Sequence, residues 1–425
     1  MERHGQRTTH GRLGRTATTA TAALALLTAC AGSAPDQQRA PVERVVVAEG
    51  EFAEAEDALL RSAFRLGAAM TSDPDVNQVT SPLSALYALS MLRAGAGTTT
   101  AAEMDAVLGL PAEHRDEAMN ALLASVQRFD GNPGDVDEDD PPVTPVLHLA
   151  NAVFVPESGV IGNAYLEILA RQYGSGVYPV DFRDGSTADR IDAWVSEETG
   201  GRIEEAPLEL DEETILTLLN IAYFAAAWEQ PFDPSGTSDE EFTLEGGTST
   251  LVPTMHASPL VRYAAGADWS GIDLPYRDGF FMRLVLPAEG SGPAWDEDQF
   301  EEIARALGQA EPQPVDVSLP LWDHAYDQDL LGILKQLGLE ETLGAAPDFD
   351  AILPESFVTG VAQSANITVA EKGTVAAAVT QISMAETGAP MPPDISISFD
   401  RPFGYQIVHE ETGLPVFLGT VADPR

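Results

Sequence analysis

Residues Ile215 to Trp228, ILTLLNIAYFAAAW, run uncharged and largely apolar without a glycine or a proline, and no other stretch constrains the fold as tightly. So continuous an apolar segment reads as a core strand rather than a surface one. Its single amide, Asn220, must find hydrogen-bond partners inside the protein or remain a buried polar group costing about 1 to 3 kcal/mol.

A second stretch, Val369 to Phe403, carries the functional information. Glu371, Lys372 and Gly373 make a polar corner, and the run from Thr374 to Met384 after it is small, uncharged and free of proline. Such a run can pair as a strand. Glu386 to Pro393 cannot, because Pro390, Pro392 and Pro393 remove ladder donors and Gly388 adds slack. A potential strand is therefore tethered to an exposed, protease-accessible loop.

The chain has 425 residues, 44% of them hydrophobic, which is ample for a large core, and nothing in its middle reads as an interdomain linker. Its formal net charge is -44, and Lys335 and Lys372 are its only lysines. A field of that sign repels phosphates and heparin-like polyanions, so neither nucleic acid nor heparin is an expected partner, and a solvated acidic surface accounts for the charge. The single cysteine, Cys30, excludes an internal disulfide and a cysteine-rich metal site. Arg3, Arg7, Arg12 and Arg15 precede a small, apolar run from Ala17 to Ala29, which Leu27-Thr28-Ala29-Cys30 closes. This is similar to a bacterial lipoprotein signal peptide, in which cleavage before the cysteine leaves a thiol to carry lipid. The expected organisation is a signal peptide over 1–29, a lipidated Cys30 with a tether through residue 50, and one folded domain over 51–425. The expected location is the extracellular face of the cell membrane.

Apolar residues at Phe52, Ala55, Leu59, Ala63, Leu66 and Met70 predict an amphipathic helix. Ser81 followed by Pro82 is a helix start, and Ala85 to Arg93 is apolar nearly all round, hence a buried helix. Residues 130–145, DGNPGDVDEDDPPVTP, lack periodicity and read as a mobile surface excursion. The spacing of Asp135, Asp137 and Asp139 hints at calcium, but the glycine and closing glutamate of an EF-hand loop are missing, so a solvated loop is the better reading. No nucleophile elbow, zinc helix or phosphate-cradling loop occurs, and the seven histidines are scattered singly. Neither an enzyme, a cofactor nor a metal is expected.

Several local patterns in sequence order resemble the serpin family. Ser81-Pro82-Leu83-Ser84, then Gly95-Ala96-Gly97-Thr98-Thr99 and Glu103-Met104, look like that family's passage between its second and third helices. Thr199-Gly200-Gly201-Arg202-Ile203 resembles its Thr-x-Gly-x-Ile turn, and Phe399-Asp400-Arg401-Pro402-Phe403 its C-terminal signature. The likeness covers about residues 52 to 423. It implies an α+β serpin fold with three β-sheets, about nine helices and an exposed reactive-centre loop. It also implies a monomeric suicide inhibitor of serine, or cysteine, proteases, whose cleaved loop inserts into the main sheet and traps the acyl-enzyme.

On this resemblance Glu371, Gly373, Thr374, Ala376, Ala378 and Thr380 are the hinge, and Ser81, Ser84, Asn220, Gln363 and Trp228 the cluster at which the sheet opens. The cut bond lies sixteen residues after Glu371 in common inhibitory members, which gives Thr387-Gly388, with Glu386, Ala389 and Met384 as runners-up. A small residue there implies an elastase-like or subtilisin-like target. Three departures stand out: Gln363 replaces a histidine, Gly404 a bulky apolar residue, and Phe224-Ala225-Ala226-Ala227 a lysine-bearing approach to Trp228. The competing readings are a non-inhibitory serpin, a solute-binding surface lipoprotein and, third, a hydrolase.

Overall fold

The apolar run becomes β4 (Leu216–Ala227), buried at every position and placed inside a six-stranded sheet. A computed structural model of the chain describes residues 33–137, 139–208, 210, 213–293, 296–374 and 393–425. The strand order in this sheet is β11 (Trp322–Asp329), β12 (Val358–Ala370), β13 (Gly373–Thr374), β4, β2 (Val146–Pro156) and β3 (Tyr178–Val180). Side chains alternate across a strand, so Leu218, Ala222 and Phe224 enter the main core while Leu219 and Ile221 face outward. That outward face is covered by Ile191, Trp194 and Val195 of α6 (Thr187–Glu198), which explains why β4 is apolar on both sides.

A second network runs β1 (Gln78–Thr80), β16 (Pro415–Val421), β15 (Phe403–His409), β9 (Phe280–Pro287), β8 (Trp269–Pro275) and β7 (Leu260–Ala265). It continues into β10 (Gln313–Pro320), β6 (Ser249–Ala257) and β5 (Ser238–Thr243), with β14 (Ile395–Ser398) parallel to β10. Among the described residues only the pairs Gln313↔Val261 and Pro314↔Leu260 join β7 to β10, with Val315 N donating to Pro259 O at 3.1 Å beside them. The ten strands are thus two sheets with a narrow weld, and with the six-stranded sheet they make the three expected.

Between the sheets lies α2 (Pro82–Ala94), buried from Pro82 to Leu92, with Pro82 in its first turn and Ser81 Oγ accepting from Ser84 N at 3.2 Å. The other helices are α1 (Ala53–Met70), α3 (Thr98–Leu108), α4 (Arg115–Val126), α5 (Asn163–Ile168), α7 (Glu297–Gln309) and α8 (Leu330–Leu337). Eight α-helices therefore occur among the described residues, and a π-helical turn at Leu169–Tyr173 extends α5.

Two loop expectations need correction. Within the supposed tether, Gln38 and Val177 exchange backbone hydrogen bonds of 2.7 and 3.0 Å, and Arg44 Nε donates to Asn120 Oδ1 at 3.1 Å. Pro35 and Val47 are buried, so the folded body begins well before Glu51. The partners lie 76 to 139 residues away, beyond what local composition reports. Residues 130–137 and 139–145 are likewise laid along the sheet rather than projecting: Pro142 O accepts from Ala227 N at 3.0 Å, and Val136 packs on Tyr223 and Ala225. The aspartates help to shape this path, since Asp137 Oδ1 accepts from Asp139 N at 3.0 Å.

His148 of β2 clamps the start of that segment to α6. Its Nδ1 lies 2.8 Å from Asp130 Oδ1 and its Nε2 2.6 Å from Glu198 Oε2. Burial alone would lower the imidazole's pKa, but the hydrogen bonds to the two carboxylates outweigh it and push the value up to about 9. The ordinary value is 6.5, so the clamp's contribution is complete below pH 6.5 and is lost as pH rises through about 9. His148→Gln is expected to lower unfolding free energy by about 1 to 2 kcal/mol at pH 6 and by much less at pH 10, measured by denaturant titration.

Candidate functional site

Gln363 and Asn220 face each other across the parallel pair β12–β4, with Asn151 of β2 next in the same row. All three are buried beneath the N-terminus of α2. The Gln363 amide is saturated: Oε1 accepts from Thr80 Oγ1 at 2.5 Å and Ser81 N at 2.8 Å, and Nε2 donates to Ser81 O at 3.0 Å and to Asn220 Oδ1. Asn220 Nδ2 in turn donates to Ala362 O at 3.0 Å, so the amide in the apolar strand has its partners. Ser81 Oγ donates to Val416 O at 2.7 Å and Ser84 Oγ to Ile221 O at 3.3 Å, tying α2 to both sheets.

Four of the five cluster residues named from the sequence, Ser81, Ser84, Asn220 and Gln363, thus meet at one point, and Thr80 and Asn151 join them. Asn151 had a visible signal, a lone amide in the apolar strand Leu147 to Val155. Thr80 had none. A neutral imidazole has two ring nitrogens against the amide's four bonds here, so glutamine suits this particular cage. Gln363→Leu would orphan the buried Ser81 N–H and its neighbours, and a loss of about 3 kcal/mol or more is expected in calorimetric unfolding.

Trp228 lies farther along, at the end of β4, and holds the polar corner. Its Nε1 donates to Ala370 O and its backbone N to Lys372 O, both at 2.9 Å. It stacks on Tyr276 with ring centroids 4.4 Å apart at 11°, and Tyr276 OH shares a 2.5 Å hydrogen bond with Thr374 Oγ1. Glu371 accepts from Phe232 N through its backbone at 2.8 Å and from Thr237 Oγ1 through its carboxylate at 2.8 Å. Lys372 Nζ donates to Asp139 O at 2.6 Å.

Between these anchors, Gly373 and Thr374 form two rungs of an antiparallel strand inserted between β12 and β4. Gly373 pairs with Ala370 and Ala227, and Thr374 with Val369 and Ala226. A Cβ at Gly373 would lie 2.1 Å from Ala226 O, so only glycine fits this seat. Below it, β12 and β4 pair directly from Val358↔Leu216 to Ala365↔Ala222. Thr374 is buried and sits opposite Ala226, on the face that enters the main core. Ala376, Ala378 and Thr380 of the hinge, the candidate bond residues Met384, Glu386, Thr387, Gly388 and Ala389, and Cys30 lie outside the described residues.

A polar row across the main sheet, under the start of the second helix, is the opening cluster that the sequence resemblance implies; that Gly373 and Thr374 of the uncleaved chain already pair within the sheet goes beyond it. The serpin family model, described as serine protease inhibitor, matches residues 58–424. The chain is a serpin. Serpin-Z1A of Triticum aestivum is 30% identical over 385 residues, covering 86% of this chain and 95% of that protein. Alpha-1-antiproteinase 2 of Equus caballus is 31% identical over 284 residues, covering 65% and 66%. Among solved structures, the thermophilic serpin tengpin in its native state superposes with a TM-score of 0.79 at 24% identity, covering 92% of this chain and 100% of that one. A thyroxine-binding globulin complexed with thyroxine superposes at 0.73 with 24% identity, covering 88% and 99%. These structures establish the fold. Within this serpin the seat of Gly373 is the most sharply tested contact: Gly373→Ala is expected to expel the two rungs and raise amide exchange at Ala226 to Trp228 by at least tenfold.

Proposed function

We propose that this serpin inhibits serine proteases as a suicide substrate, and the observation that carries the proposal is the two-rung insertion of Gly373 and Thr374. If the strand continues in the observed register, residue 376 falls opposite Phe224, 380 opposite Asn220 and 384 opposite Leu216. Against β12, residue 385 falls opposite Val358. The interstrand slot therefore ends where the small, proline-free run ends, before Glu386 to Pro393.

Parity supports the same reading. Ala376, Ala378, Thr380, Ile382 and Met384 would follow Thr374 onto the core face, small first and larger later. Small uncharged residues near the hinge lower the barrier to entry, whereas a buried charge there would cost several kcal/mol. Six buried side chains with ladder bonds to two neighbours would contribute on the order of 10 kcal/mol.

In the proposed sequence the protease serine attacks the carbonyl of Thr387, the amine of Gly388 leaves, and the acyl-enzyme is carried along as residues from 375 onward enter the sheet. Opening must separate β12 from β4, and so must break the bond between Gln363 and Asn220. Trapping requires that step to outrun deacylation. The target is an elastase-like or subtilisin-like protease met by a monomer. Cys30 is proposed to carry lipid and to hold the protein on the extracellular face of the membrane.

The test is incubation with a panel of serine proteases, denaturing gels, and mass spectrometry of the released C-terminal peptide. SDS-stable complexes and a peptide beginning at Gly388 are expected. Replacing Ala376 and Ala378 together by Glu is expected to abolish the complex while leaving cleavage intact, turning inhibitor into substrate. Complex yield unchanged in that variant refutes the insertion step. A small ligand that raises the melting temperature, with no complex from any protease, would favour a solute-binding lipoprotein.

A further inference from the structure

On the outer face of the sheet containing β7, β8, β9 and β15, four polar side chains stand in one row: Arg262 opposite Asp273, Asp273 opposite Arg283, and Arg283 opposite Gln406. Asp273 and Arg283 form a two-point ion pair at 2.8 and 3.0 Å, with side chains only 4% and 5% exposed. The aspartate's charge is thereby taken up. Arg262, half-buried beside it, has no hydrogen bond or ion pair among the described residues, in a chain holding 67 acidic residues against 23 basic ones. Gln406 Oε1 is likewise buried without a partner.

Helix α7 covers the part of this face around Val285 through Ile303 and Leu307. Elsewhere on it lies an open cleft of about 270 Å³, walled by Phe281, Arg262 and Asp273, bordered by Leu260 at 53% exposure, and rimmed by the exposed carboxylates of Glu229 and Glu410. A simple anion drawn to Arg262 would meet two glutamates. A simple cation drawn to the glutamates would meet Arg262.

We propose that this cleft binds a small zwitterion with an apolar body, of the apolar α-amino acid or dipeptide class. The carboxylate goes to Arg262, the apolar body packs on Leu260 and Phe281, and the ammonium goes to Glu229 and Glu410. The site adjoins the hinge anchors: Glu229 N donates to Pro275 O at 3.0 Å, and the residues beside these two, Trp228 and Tyr276, are those that hold Lys372 and Thr374. Occupancy therefore bears on the seat of the loop.

The test uses the full chain and calorimetric titration with L-phenylalanine, N-acetyl-L-phenylalanine, which lacks the ammonium, and L-phenylalaninamide, which lacks the carboxylate. Saturable one-site binding of phenylalanine is expected, with each analogue at least tenfold weaker. Arg262→Gln should weaken phenylalanine binding and erase its advantage over the amide. The Glu229→Gln, Glu410→Gln double variant should erase its advantage over the N-acetyl compound. No saturable binding, less than tenfold separation of the three ligands, or variants that bind like the parent protein would overturn the proposal. If Arg262→Gln fails to fold, the surface glutamate variant decides alone. No protease enters the measurement, so its outcome is independent of the inhibitory reading.

Discussion

The bond between the buried amides of Gln363 and Asn220 is the interaction on which the main sheet depends. It is the deeply buried polar tie across β12 and β4, two strands that also meet through backbone, apolar side chains and, at their far end, the hydroxyls of Thr217 and Thr359 at 3.3 Å. Its strength comes from saturation, since every donor and acceptor of the Gln363 amide is occupied. An orphaned polar group is costly where water cannot reach, so the cage around Ser81 keeps closed the seam that the proposed function has to open.

Above that tie the seam is already parted. Gly373 and Thr374 occupy the gap; Tyr276 holds Thr374 directly, and Trp228 and the carbonyl of Asp139 hold the adjoining Lys372. The sheet therefore carries a wedge at one end and a lock farther down, and the wedge residues are the glycine and threonine that a crowded strand interior admits. How readily the seam parts is set by the balance between these two features. The closely fitted seat of Gly373 makes that balance sensitive to a single methyl group.

Much of this was legible in the sequence, for reasons that differ by element. Asn220 stood out because an amide in an otherwise apolar run has to be satisfied, and the cap at Ser81 was legible because the Ser-Pro pair states its own local geometry. Tyr276 and Thr80 gave no such signal: their roles arise from partners 98 and 283 residues away, contacts that no window of neighbours contains. The segment before Glu51 and the acidic stretch from 130 to 145 were misread for the same reason. Their composition favours solvent, yet backbone groups of Gln38 and Pro142 complete hydrogen bonds that strand ends elsewhere would leave open. Family likeness carried the hinge assignment, which periodicity alone would have left as one more small-residue strand.

The weld between β7 and β10 has a mechanical consequence. Among the described residues, two ladder pairs, one of them at Pro314 with no amide hydrogen to give, and a hydrogen bond from Val315 N to Pro259 O join the sheet of β5, β6, β10 and β14 to its larger neighbour. With so little backbone pairing across the joint, the two sheets are held together chiefly by side chains: Val252, Met255, Val315 and Ile397 lie in the same core cluster as Met282, Leu284 and Tyr405. The chain leaves the six-stranded sheet at Thr374, and β14, after the proposed bait loop, lies on the smaller sheet beside β10. The two roots of the proposed bait loop thus lie in different sheets, and what holds those roots at a fixed distance is apolar packing more than hydrogen bonding.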